Sequence, residues 1–209
     1  MSQPAHGFTL PAQPADDEPL AALVERARAG DAAAFTALYQ RFYVQMCRYL
    51  ARLVGDDDLG NDLAQDTFLA AWRALPGFED YGYFVPWLYR IASNLARSHL
   101  RRARLIRWLP WGDHGGLQPA DYPSIAGPEE HAGETERVKL ALAEVSPKHR
   151  SCLLLQLEAG FSQREIARML ELNEKSVSVY ISRGRQQFRQ AYHRLEHEPD
   201  ATAKGGPTR

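Results

Sequence analysis

The chain has 209 residues, 44% of them hydrophobic, which is enough to build the cores of one or two domains. Its formal net charge is −1, and it holds no run of 18 apolar residues, so we expect no membrane-spanning helix. The N-terminus lacks the positive start and apolar block of a signal peptide, which predicts a cytoplasmic protein. The charge is unevenly distributed along the chain. Residues 1–83 hold twelve acidic but only six basic residues, so the rest of the chain carries an excess of basic residues.

The first 83 residues predict a leader followed by helices. Residues 1–18 are polar and interrupted by prolines, so we expect them to be disordered. Apolar residues then recur with helical spacing, and Asp31 is placed to cap a helix after a glycine. Another helix is predicted at about 59–75, behind a group of three aspartates that can cap it. A proline and a glycine end this helix, and the loop 77–83 follows.

The next predicted helix, 84–107, combines an apolar face with a face suited to nucleic acid. The apolar face consists of Phe84, Leu88, Ile91 and Leu95. Beside it, at the same spacing, lies an aromatic–basic strip made of Tyr83, Trp87, Arg90, Asn94, Arg97 and Arg101. Aromatic rings can stack on unpaired bases, and arginines can contact phosphates. The alternative is that Trp87 is buried and that the arginines only keep a surface helix in solution.

Prolines and glycines interrupt every periodic pattern in residues 108–134, which we therefore predict to be a flexible linker. Its roughly 27 residues span at most about 90 Å. The predicted fold is all-α, with two small helical domains at 19–107 and 135–196 that need not touch each other. Residues 197–209 are predicted to be a disordered tail.

The second domain ends in a pattern typical of a helix-turn-helix, although many helical hairpins share it without touching DNA. Ser162 and Glu165 form a capping box before a short helix, and Asn173 can cap the long helix that follows. Exposed side chains early on such a helix reach base edges, and later arginines meet phosphates or form ion pairs. The predicted DNA-contacting residues of this domain are Arg164, Lys175, Ser176, Ser178, Val179, Ser182, Arg183 and Arg185.

Three segments resemble, in the family's order and spacing, bacterial sigma factors of the extracytoplasmic-function type. They are DLGNDLAQDTFLAAWRAL (58–75), FVPWLYRIASNLARSHLRR (84–102) and residues 141–189, from ALAEVSPKHR to SRGRQQFR. The resemblance covers about residues 20–107 and 135–195. It implies a non-enzymatic transcription initiation factor, with sigma region 2 in the first domain and sigma region 4 in the second. Such a protein binds core RNA polymerase and directs it to promoters.

The resemblance also assigns roles to individual residues. It implies that Asp62, Gln65 and Asp66 bind the largest polymerase subunits, beta and beta-prime; a solvated helical face is the alternative. Phe78 lies in the loop that resembles the segment capturing a flipped base of the −10 element, and the aromatic–basic strip would hold the opened strand. The second domain would read the −35 element as duplex. Tyr180 and Gly184 depart from the residues that are frequent in the family at these positions.

The family resemblance implies an anti-sigma partner, which is often tethered to the membrane, and no cofactor. Two other readings compete. The first is a helix-turn-helix regulator that binds duplex DNA without polymerase, which leaves the aromatic–basic strip unexplained. The second is a metal-dependent enzyme using His193 and His197, but no third ligand is evident nearby, so we expect both to be solvated and no metal to bind. Cys47 and Cys152 are expected to be small buried residues.

Overall fold

The computed structural model describes residues 18–107 and 129–197, except for the side chains of Tyr81 and of residues 103–132. Within these ranges every regular element is helical, which confirms the all-α prediction. The α-helices are α1 (Leu20–Arg28), α2 (Ala32–Val54), α3 (Asp57–Ala74), α4 (Phe84–Arg107), α5 (Glu129–Glu144), α6 (Pro147–Leu157), α7 (Gln163–Leu170) and α8 (Glu174–His197). Two short 3₁₀ turns, Leu75–Gly77 and Tyr81–Tyr83, join α3 to α4. In the described part of the chain, no helix is long and apolar enough to cross a bilayer.

Helices α1–α4 form an N-terminal bundle whose helix starts follow from the predicted caps. The Asp31 carboxylate accepts hydrogen bonds from the backbone N–H groups of Ala33 and Ala34 at the start of α2. Asp56 accepts one from Leu59 at the start of α3. These bonds satisfy donors that the first helical turn cannot pair, so both caps are confirmed.

The core of the N-terminal bundle depends on close packing of α2 against α3. A β-carbon added at Gly60 would lie 2.6 Å from the backbone of Ala51, so only glycine fits at this crossing. Two residues before Ala51 in α2, the buried Tyr49 hydroxyl lies 2.8 Å from the Ser93 hydroxyl of α4. The Ser93 hydroxyl in turn donates to the Tyr89 carbonyl, so the polar groups inside this core are paired with each other.

Helices α5–α8 form a C-terminal bundle, with some departures from expectation. Helix α5 begins at Glu129, inside the segment assigned to the linker, whose residues 108–128 lie outside the described ranges. Ser146 occupies the N-cap position before α6, but its hydroxyl makes no capping hydrogen bond. Leu157, the last residue of α6, is 61% exposed because it lies beside Phe188 on the wall of an open groove.

The two bundles pack against each other, a contact that the sequence did not require. Their buried residues form one continuous hydrophobic cluster. The rings of Tyr89 in α4 and Phe161 in the loop after α6 meet edge to face, with centroids 5.2 Å apart. Ion pairs add to the contact: Lys139 Nζ lies 2.8 Å from Asp57 Oδ2, and Arg52 Nη1 lies 3.1 Å from Glu158 Oε1.

Candidate nucleic-acid and polymerase interfaces

The structure places the aromatic–basic strip on one side of α4, as the helical spacing predicts, with Tyr83 in the 3₁₀ turn just before the helix. Its polar members are exposed, and its two aromatic residues are half-buried. The exposed members are Arg90, Asn94, Arg97 and Arg101. The opposite side of α4 is buried, and Leu88 there has no exposed surface. The helix therefore presents a cationic surface with aromatic rings at its N-terminal end.

The aromatic end of the strip is a stack of rings rather than a set of free side chains. The Trp87 ring lies 4.6 Å from that of Phe78 and 5.7 Å from that of Phe84, measured between centroids. Trp87 is half-buried, so it is neither a core residue nor a fully free platform. Phe78 is only 8% exposed, which does not fit direct contact with a base. Its buried ring instead packs against the ring of Trp87 and would hold that ring in place. The burial of Phe78 could not be predicted from the sequence, because a loop residue belongs to no periodic pattern.

The C-terminal end of the strip borders a groove between the two bundles. This groove, of about 670 Å³, is lined by Arg97 and Arg101 from α4 and by Lys148 from α6. Apolar residues from both bundles, including Leu53 and Leu170, form the rest of its wall. The three cations make this part of the surface attractive to anions such as a phosphate backbone.

Helix α3 carries a second exposed surface. Asp62, Gln65 and Asp66 are all exposed, as expected for residues that contact a protein partner. The structure adds two residues that the sequence analysis missed, because Leu69 is 53% exposed and Trp72 is 37% exposed. With spacings of three and four they continue the same helical face, which we call the α3 face. Exposed apolar residues beside carboxylates are typical of protein–protein contact sites.

The helix-turn-helix of the C-terminal bundle is held by the predicted caps. The Ser162 hydroxyl and backbone N–H both donate to the Glu165 carboxylate, at 2.7 and 2.8 Å, and the Glu165 N–H donates back at 3.3 Å. The hydrogen bond from the Ser162 hydroxyl is the main cause of a lowered pKa for Glu165, so this carboxylate stays ionised. Asn173 accepts from the Lys175 N–H at the start of α8. Both helices of the motif therefore begin where the sequence predicts.

The predicted DNA-contacting residues of the helix-turn-helix, Arg164 on α7 and the others on α8, point mostly to solvent. Every member of the set is exposed except Ser176, which is half-buried; the set is Arg164, Lys175, Ser176, Ser178, Val179, Ser182, Arg183 and Arg185. Arg185 is already engaged, since its guanidinium donates to Gln156 of α6 at 3.0 Å. Tyr180 turns instead toward α6, where its ring lies 5.3 Å from that of His149.

Close packing also fixes the inner side of α8. A β-carbon at Gly184 would come within 3.2 Å of the His149 carbonyl oxygen, so the glycine permits close approach of α8 to α6. Helix α8 is therefore packed closely against α6, and its opposite face is exposed.

The C-terminal end of α8 differs from the sequence-based description. Glu196 supplies the third potential ligand that was not evident beside His193 and His197, and one ligand atom from each lies within 4.8 Å of the others. The His193 Nδ1 atom is 3.3 Å from Glu196 Oε2. All three side chains are exposed, and exposed carboxylates are common without a metal, so absence of a metal site remains a prediction.

Comparison with known proteins decides the family. The family model described as Sigma-70 region 2 matches residues 38–106, and the one described as Sigma-70, region 4 matches residues 135–188. RNA polymerase sigma factor CarQ of Myxococcus xanthus is 31% identical over 176 residues, which cover 84% of this chain and 98% of CarQ. The ECF RNA polymerase sigma-E factor of Salmonella typhimurium is 30% identical, with coverage of 78% and 89%. The chain belongs to the extracytoplasmic-function sigma factors.

This sigma factor is therefore a promoter-directing transcription initiation factor and not an enzyme, and the duplex-only regulator is not favoured. A solved structure of the sigma factor CnrH, in complex with the cytosolic domain of CnrY, superposes with a TM-score of 0.61 at 29% identity. The match covers 84% of this sigma factor and 97% of the CnrH chain. The matched part thus includes both bundles.

Proposed function

We propose that this sigma factor binds core RNA polymerase through the α3 face and holds an opened −10 strand on the aromatic–basic strip, while α8 reads a duplex −35 element. The observation that carries the proposal is the presence of two different DNA-binding chemistries in one chain. Rings and arginines on α4 suit unpaired bases, and an exposed recognition helix suits a major groove. A protein that reads only duplex DNA has no use for the first.

The α3 face suits polymerase by shape and charge. Asp62 and Asp66 supply exposed carboxylates, and Leu69 and Trp72 supply apolar area that would leave water on binding. Buried apolar area drives most protein association, and flanking charges select the partner and orientation. The beta and beta-prime subunits of core polymerase are the partners that the family suggests.

Binding of unpaired bases to the aromatic–basic strip would supply the free energy that opens the two DNA strands. Stacking of an unpaired base on an aromatic ring contributes about 1–3 kcal/mol, which is comparable to the cost of unpairing one base pair. Trp87 is placed for this role, while Arg90 and Arg97 are placed to meet the phosphates. Asn94 offers an amide donor and acceptor to a base edge.

Two further features follow from the family. An anti-sigma factor would hold this protein inactive, a role supported by the solved complex of CnrH with the cytosolic domain of CnrY. The partner would cover the polymerase-binding surfaces, and it is expected to be membrane-tethered. The cytoplasm is the compartment in which a polymerase subunit of this kind works, so we place the protein there.

The decisive experiment is run-off transcription with purified core polymerase on a promoter library, with permanganate probing of unpaired thymines. We expect transcripts that depend on the sigma factor, with a reactive bubble near −10. Asn94→Ala should weaken the bubble because it removes the amide that would contact a base edge. Asn94 is exposed, so the substitution should leave the fold intact. Trp87→Ala should do so as well, but it also removes ring packing, so melting temperature is measured beside it.

Matched controls separate binding from folding. Gln40→Ala, at an exposed position on α2, should leave both transcription and the bubble unchanged. Asp66→Lys should reduce binding to core polymerase without changing the affinity of the free protein for duplex DNA. A protein that shifts duplex DNA but never binds core polymerase would refute the proposal.

A further inference from the structure

Helix α8 carries an apolar side chain in the middle of the face that points away from the protein. Val179 is 44% exposed, and among the described residues of α7 and α8 it is the one large apolar side chain that stays exposed. With about 3.6 residues per turn, Lys175, Ser182 and Arg183 lie within about 60° of Val179 around the helix. All three are polar and exposed, so hydrogen-bond donors surround Val179.

Neither core packing nor helix formation explains a valine at this position. The buried residues of α8, which are Val177, Ile181, Gly184 and Ala191, lie on the opposite side of the helix. A β-branched side chain is also less favourable than alanine at an exposed helical position, because the helix restricts its rotamers. The apolar surface of Val179 is therefore suited to a contact outside the protein.

The major groove offers one apolar group that such a side chain can recognise. Thymine presents its C5 methyl there, whereas the other bases present only hydrogen-bonding groups. The serine, lysine and arginine side chains beside Val179 can bond to base oxygens and nitrogens, but they cannot sense a methyl group. Val179 is the sixth residue of α8, within the N-terminal part of a recognition helix that reaches base edges.

The cations on either side of Val179 are available to hold it against the groove floor. Lys175 and Arg183 lie one turn before and one turn after it, each about 6 Å away along the helix axis. Neither side chain has a hydrogen-bond or ion-pair partner among the described residues. The guanidinium of Arg185, by contrast, already donates to Gln156. Bonds from Lys175 and Arg183 to DNA would thus place Val179 between two anchored points.

We propose that Val179 contacts the C5 methyl group of a thymine in the −35 element and makes binding depend on that methyl. This inference rests on the proposed reading of duplex −35 DNA by α8, and it adds the chemical group that one residue reads. The contact removes the thymine methyl and the valine methyls from water. Burial of one methyl group corresponds to about a three- to fivefold gain in affinity.

Replacement of thymine by uracil tests the contact directly. Selection from a pool of randomised duplexes, by the full chain with core polymerase, first gives a −35 sequence. Each thymine of that sequence is then replaced in turn by uracil, which lacks only the methyl and keeps the pairing with adenine. We expect one position at which uracil weakens equilibrium binding by about three- to fivefold.

Two matched valine variants show whether the effect belongs to Val179. Val179→Ala should bind the thymine duplex more weakly and should lose nothing further when uracil replaces the critical thymine. Its melting temperature should not fall, because the site is exposed and alanine favours a helix. The control is Val44→Ala, at a 64% exposed valine of α2, which should keep the full difference between thymine and uracil.

The outcomes separate this inference from the proposed function. If no thymine shows the effect, or if Val179→Ala keeps it, the thymine contact is refuted even when transcription depends on core polymerase. If selection with core polymerase enriches no duplex, the proposed function fails, and the same selection with the chain alone decides the role of Val179. A chain that enriches no duplex sequence under either condition overturns both.

Discussion

Replacement of Gly60 by alanine is expected to destabilise the N-terminal bundle. Gly60 is buried in α3 where that helix crosses α2, and an added β-carbon would lie 2.6 Å from both the Cα and the N of Ala51. These are backbone atoms, so no side-chain rotation can remove the overlap. The helices must move apart, and the α3 face moves with them.

The magnitude follows from two opposing effects. Alanine stabilises a helix interior by about 1 kcal/mol relative to glycine. Forcing an extra carbon into a well-packed core costs about 1–3 kcal/mol, and the upper part of that range applies where backbone must shift. The net loss is therefore about 1–2 kcal/mol. For a chain of this size it corresponds to a melting temperature lower by about 2–8 °C, measured by circular dichroism.

A matched substitution supplies the control. Gly133 also lies in a helix, but a β-carbon there would meet nothing within 4 Å. Gly133→Ala should raise the melting temperature slightly or leave it unchanged, since only helix propensity acts. If Gly60→Ala is as stable as wild type while Gly133→Ala behaves as expected, the close crossing of α2 and α3 is wrong.

Three further predictions concern buried polar groups and caps. Tyr49→Phe should cost about 1 kcal/mol in urea unfolding, because it removes the buried hydrogen bond between Tyr49 and Ser93 and leaves the Ser93 hydroxyl only its bond to the Tyr89 carbonyl. Combined with Ser93→Ala, the double variant should lose less stability than the sum of the two single variants, and strict additivity would contradict the bond. Burial raises the pKa of the Cys152 thiol to about 11, so this thiol should resist alkylation at about pH 8 in the native protein and react on unfolding, as read by mass spectrometry. The pKa of the Glu165 carboxyl is lower in the folded state than in the unfolded state, because the ionised carboxylate accepts the capping hydrogen bonds. The ionised carboxylate therefore stabilises α7 fully above the unfolded pKa of about 4.3, and this stabilisation is lost as the pH falls through the folded pKa. Carboxyl titration by NMR should show that lowered pKa, and Glu165→Gln should remove this part of the acid dependence of melting.

Much of the local structure could be predicted from the sequence. Capping by Asp31, the box formed by Ser162 and Glu165, and the cap at Asn173 are all present. Each depends on a side chain and backbone groups no more than three residues away. The polar members of the aromatic–basic strip share an exposed side of α4, as predicted, because spacing of three and four residues fixes a helical face without knowledge of its neighbours. Contact of this strip and of α8 with DNA stays a prediction.

The exposure of individual side chains was harder to predict than the helical face on which they lie. Phe78 was expected to meet a base and is buried, whereas Leu69, Trp72 and Leu157 are apolar residues that remain exposed. Periodicity shows which residues share a side of a helix, but it does not show how far a neighbouring element extends over that side. Trp72 is only partly covered because the ring of Phe35 reaches one edge of it, 4.7 Å between centroids.

The sequence by itself determined the helices, their caps and the residue types that DNA and polymerase require. Only the tertiary structure decided how the two bundles meet, and hence that Arg90 pairs with a residue 81 positions away. The physical reason is the sequence separation over which each kind of interaction acts. A helix and its caps are set by hydrogen bonds between near neighbours, whereas contact between bundles depends on the summed packing of surfaces that lie far apart in the chain.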